Sequence, residues 1–220
     1  MQIDNHSPLI KTVLCIALIA LLGGCQTAYY STMEKVGYHK RDILVDRVGK
    51  ARDAQQEGKE QFKSALEEFS SVLNFKGGEL EDKYNKLNAE YEDSEDAAND
   101  VRKRIDSVES VAEALFKEWE AELEQYSNAA LKRDSSQKLK KTRQQYKKLI
   151  RAMRRAEKKM DPVLNAFKDQ VLYLKHNLNA KAILSLQKEL RAVKSNISAL
   201  VKDMEKSIRE ADAFIKEVGI

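Results

Sequence analysis

The chain has 220 residues, 34% of them charged, with a formal net charge of +4 and a mean hydropathy of −0.58. Such polarity excludes a bundle of membrane-spanning helices, and two cysteines exclude a fold stapled by several disulfides. Only two prolines interrupt it, and abundant Ala, Glu, Lys, Leu and Arg favour long helices.

The N-terminal segment differs from the rest. Lys11 supplies positive charge, an apolar run extends from Val13 to Leu22, and the segment closes on Leu22-Gly23-Gly24-Cys25. Charge, a short apolar core and small residues at the cut are the order of a secretory signal peptide. The apolar run is about half the ~20 residues that a helix needs to cross a bilayer, so a permanent span is not expected. A leucine three positions before a cysteine, with two glycines between, resembles the lipobox of bacterial lipoproteins. That resemblance implies cleavage between Gly24 and Cys25 and covalent diacylglyceryl and acyl groups, such as palmitate, on Cys25. Cysteine suits this chemistry because its thiolate is strongly nucleophilic. Gln26 stands where Asp would favour inner-membrane retention, which implies the periplasmic face of the outer membrane of a Gram-negative bacterium. Cys15 would leave with the signal, so no pair remains to form a disulfide. The expected layout is a signal peptide over 1–24, an acylated tether over 25–35 and one helical domain over 36–220.

Heptad-like apolar spacing predicts helices at about 38–75, 79–126, 136–177 and 181–217. The first carries Leu44, Val48, Ala51, Gln55, Gly58, Phe62, Ala65, Phe69 and Val72, in alternating steps of four and three. Comparable stripes run from Leu80 to Trp119, from Leu139 to Leu178 and from Ile183 to Val218. A period near 3.5 means helices that pack lengthwise at shallow angles. Lys76-Gly77-Gly78, Ser127 to Ser136 and His176 to Ala180 read as the connections, with Asp134, Ser135 and Ser136 as candidate N-caps. Asp161-Pro162 reads as a helix restart and predicts a kink. Short connections favour antiparallel neighbours. The expected fold is therefore all-α: an elongated antiparallel up-down-up-down helical bundle, or coiled-coil rod, of roughly 60–70 Å. Pairing around Gly77-Gly78 sets Ala54 and Gly58 opposite Ser94, Ala97 and Ala98, which suggests a close mid-rod approach or, less simply, a binding spot.

No catalytic, metal or cofactor constellation is legible, so no enzyme and no small-molecule substrate is expected. His6, His39 and His176 are scattered rather than set at ligand spacing. The charges are more informative. The second helix is acidic, with Glu118, Glu120, Glu122 and Glu124 near its end. The third begins with Lys132, Arg133, Lys138, Lys140, Lys141 and Arg143, and stays basic through Lys147, Lys148, Arg151, Arg154, Arg155, Lys158 and Lys159. These cations either pair with the acidic helix or form an anion or membrane contact face. An exported chain without base-stacking motifs is not expected to bind nucleic acid. Anionic lipid or an envelope polymer fits better.

Downstream of the cysteine, Tyr29-Tyr30-Ser31-Thr32-Met33-Glu34-Lys35-Val36-Gly37-Tyr38-His39-Lys40-Arg41-Asp42-Ile43-Leu44-Val45-Asp46-Arg47-Val48, with the helical remainder, resembles a family of uncharacterised proteobacterial lipoproteins that carry one helical domain of unknown function. The resemblance brings no activity and no site residues. The resulting expectation is a lipid-anchored structural or protein-interaction module that meets a protein partner or itself. The alternative is a lipid- or anionic-polymer-binding protein that uses the basic face of the third helix.

Overall fold

A computed structural model describes residues 39–74 and 80–219. The signal peptide, Gly24, Cys25, the tether and the Gly77-Gly78 turn lie outside the described residues. Within them the chain forms four α-helices and no strand: α1 (Lys40–Leu73), α2 (Leu80–Leu123), α3 (Ala129–His176) and α4 (Ala180–Val218). At 1.5 Å per residue, the 48 residues of α3 span about 72 Å.

The helices close into a four-sided bundle. α1 packs on α2 and α4, and α3 packs on the same two. Every member of the predicted α1 stripe, from Leu44 to Val72, is buried. Leu87, Val101, Ile105 and Val108 of α2, Met153, Met160 and Phe167 of α3, and Ile197, Leu200 and Met204 of α4 complete one continuous core. Phe69 and Phe167 meet edge-to-face across the bundle with centroids 6.3 Å apart. Leu178 departs from the stripe; it lies in the α3–α4 connection and is exposed.

The register is antiparallel throughout. Ser64 Oγ donates to Glu90 at 2.9 Å and Lys83 Nζ to Ser71 Oγ at 2.6 Å, which sets α1 against α2. Arg52 meets Asp212 at 3.1 Å between α1 and α4. At mid-height a Cβ on Gly58 would touch Met204 at 3.5 Å and Val101 at 3.6 Å. The space left by the missing side chain is thus filled from α2 and α4, which is packing rather than a vacant spot.

The third helix differs from expectation at its start. It begins at Ala129, not near 136, because Asn128 caps it: its side chain accepts from Ala130 N and Leu131 N. Asp134, Ser135 and Ser136, expected as caps, lie inside the helix, where Asp134 pairs with Lys138 and Ser135 Oγ accepts from Trp119 Nε1 at 2.8 Å. Nor does the helix restart at Asp161. It runs through Pro162, while Asp161 pairs with Arg102 of α2.

That early start has an architectural consequence. Lys40, the first residue of α1, meets Glu118 at 2.9 Å. Glu217, near the end of α4, meets Lys141 at 2.5 Å. The end of α2 and the first dozen or so residues of α3 therefore project past α1 and α4 as a two-helix overhang.

Candidate functional site

The overhang carries the basic residues singled out from the sequence. Lys132 pairs with Glu124 at 3.1 Å, Lys138 with Asp134 at 2.8 Å and Lys141 with Glu217 at 2.5 Å. Arg143 pairs with Glu120, and its guanidinium lies 5.1 Å from the centre of the Phe116 ring. The hydrogen bond between Arg143 and Glu120 lowers the carboxyl pKa and raises that of the guanidinium. Arg133 reaches only the backbone carbonyl of Ala129, at 3.5 Å, and Lys140 forms no ion pair with a described residue. The structure thus joins the acidic end of α2 to the basic start of α3. Exposed pairs of this kind contribute about 0–1 kcal/mol each, so they select the register yet can exchange with an external anion at little cost.

Deeper along α3, Arg154 holds the α2–α3 seam. It donates to Asp106 at 2.6 Å and to Glu157 at 2.7 Å, and it grips Glu109 as well. Those hydrogen bonds, Glu109's first, raise its pKa despite partial burial. Tyr146 lies on the same helix, its ring 5.4 Å from that of Phe116. Burial, then Glu109, push its phenol up to about 12.

Two features escaped the sequence. First, the exposed large apolar residues of the described chain are confined to the rod's ends. Tyr126 and Leu131 sit at the overhang; Leu172, Tyr173, Leu178 and Leu184 sit at the opposite end. On the overhang and at its base, a shallow groove of about 390 Å³ lies between α2 and α3, with Leu123, Leu139, Lys140 and Arg143 among its lining. Second, polar groups are buried at mid-height. Gln55 and Ser207 are fully buried, and neither amide atom of Gln55 nor the Ser207 hydroxyl has a hydrogen-bond partner. The Gly58–Met204 contact places them at the same level on adjacent helices. Periodicity counts Gln55 as a seam position and is silent on whether its amide finds a partner.

Among the described residues no three His, Cys, Asp or Glu side chains are grouped to hold a metal, and no described helix is long and apolar enough to cross a membrane. In comparisons with known proteins, the family described as protein of unknown function (DUF2959) matches residues 29–218. No curated protein and no solved structure matches the chain.

Proposed function

We propose, for a chain that belongs to the DUF2959 family over residues 29–218, a lipid-anchored helical rod that holds a protein partner at a set distance from a membrane. The observation that carries this reading is the confinement of exposed apolar side chains to the two ends of a rod whose flanks are polar. Clustered apolar side chains open to solvent mark contact sites, whereas scattered ones do not. The lipobox-like Leu22-Gly23-Gly24-Cys25 supports the anchor and an envelope location at the outer membrane's periplasmic face. The chain enters α1 at Lys40, the same end as the overhang, so a tether from Cys25 brings that end toward the lipid surface. The other end, with Leu172 and Leu184, then faces the partner or a second copy. In this reading the protein is not an enzyme and carries no cofactor beyond the acyl groups on Cys25.

The test has two arms. Palmitate labelling and membrane fractionation are compared for the native chain and Cys25→Ser; loss of both on substitution is expected, and a variant that stays with the membranes refutes the anchor. A photo-crosslinking residue is placed at Leu172, at Leu184 or at the flank position Lys158 in intact cells. Adducts from the first two alone are expected, and equal yield from Lys158 refutes docking through the end.

A second reading is contact of the overhang with anionic lipid. Leu131 and Tyr126 are exposed beside Arg133 and Lys140, which have no carboxylate partner among the described residues. Each cation near such a surface contributes up to about 1 kcal/mol. Replacing Lys132, Arg133, Lys138, Lys140 and Lys141 by Gln should weaken binding to anionic liposomes; unchanged binding discards it.

A further inference from the structure

Four basic side chains of α3 find a carboxylate on a neighbouring helix: Arg143 and Arg154 on α2, and Lys141 and Lys159 on α4. Others find none, and several of these gather in one place. Between α3 and α4 lies an open groove of about 210 Å³, lined by Lys148, Arg151, Ala152, Arg155, Asp203, Lys206 and Glu210. None of its four cations forms an ion pair with a described residue. Arg151 donates instead to the carbonyl of Lys147 on its own helix, at 2.8 Å. The groove exists because Ala152, at a seam position and only 7% exposed, is too short to fill the space between the helices.

We propose that this groove seats a phosphate ester. Its four cations face two carboxylates, and one of these, Asp203, already lies 2.7 Å from Lys159. The surplus positive charge suits an anionic phosphate. Arg151 and Arg155 are one helical turn apart, and two guanidinium forks presented from one face match the several oxygens of a phosphate better than the two of a carboxylate. At about 30 Å³ per water, the volume corresponds to about seven waters, room for a phosphate on a short carbon chain. Such an ester exists free or as a lipid headgroup. Lys148 lies 19 residues beyond Ala129, roughly 29 Å along α3, so a bilayer touching the tip of the overhang would not reach it, and a soluble ester fits the height better.

The experiment uses the full chain in non-ionic detergent, titrated with inorganic phosphate and with glycerol 3-phosphate and followed by calorimetry. A flotation arm uses vesicles of phosphatidylglycerol against phosphatidylcholine. Saturable binding of both is expected, weakened about tenfold or more by Arg151→Gln with Arg155→Gln. Lys188→Gln, at an exposed position on α4 away from the groove, should leave it unchanged. Binding confined to phosphatidylglycerol vesicles but lost with the two arginines assigns the seat to a headgroup and still supports it. No binding in any arm, or binding that survives the double substitution, overturns the proposal. Circular dichroism of each variant excludes unfolding as the cause, since both arginines are exposed.

Discussion

Replacing Gln55 by methionine should make this protein more stable. Gln55 is 0% exposed, and both its amide oxygen and nitrogen lack a partner. A buried polar group without a hydrogen bond costs about 1–3 kcal/mol relative to the same group in water. Methionine has a similar unbranched shape and no strong hydrogen-bonding requirement, and volume-conserving exchanges in cores usually cost less than about 1.5 kcal/mol. The net expectation is a gain of about 1–2 kcal/mol. For a domain of this size each kcal/mol moves Tm by about 2–4 °C, so a rise of about 2–8 °C is expected. Urea unfolding should show a higher midpoint at an unchanged slope, the signature of a stability change without a change in exposed surface. Ser207→Ala, at the same level on α4, should add its own smaller gain without coupling, because no hydrogen bond joins the two residues. A loss of more than about 1 kcal/mol in Gln55→Met, or strong coupling to Ser207→Ala, would refute the reasoning. Either would mean that the two groups share a bound water.

Two further outcomes follow from the same core and seam. Gly58→Ala should stabilise by about 0.4–1 kcal/mol, because it removes unfolded-state freedom in a helix interior and its Cβ would meet Met204 and Val101 at ordinary contact distances of 3.5 and 3.6 Å; a fall in the urea midpoint would show that α1 needs closer approach than those contacts imply. The Tyr146 phenol, raised by burial and then by Glu109 to about 12 from an ordinary value near 10, keeps its proton in the folded state after the unfolded chain has lost it. Its contribution is therefore whole below about pH 10 and is lost as pH rises toward about 12. Tyr146→Phe should flatten the alkaline fall in stability over that window, and an unchanged slope would contradict the assignment.

The helical class, the antiparallel bundle and the buried face of α1 were legible in the chain itself. Leu44 to Val72 repeat every three and four residues, and such a stripe can be hidden from water only along a helix. The lipobox-like cysteine is equally local, a matter of residue order. Three things were settled only by tertiary structure. The start of α3 depended on which of several capping residues wins, and Asn128 wins because the helix-forming residues after it gain a further turn while Ser135 serves Trp119 across the seam. The overhang followed, since it is set by the lengths of α1 and α4 relative to α2 and α3, and by the register of Lys40 on Glu118 and Lys141 on Glu217. The sorting of α3's cations came last. Composition marks the whole helix as basic, but pairing is a property of the facing helix. Arg154 finds Asp106 and Glu109 on α2, while Arg151 and Arg155 line the groove beside Ala152 and form no ion pair with a described residue. Periodicity is a one-dimensional signal that says which face turns inward; which charges remain unanswered depends on distances between chain segments far apart in sequence.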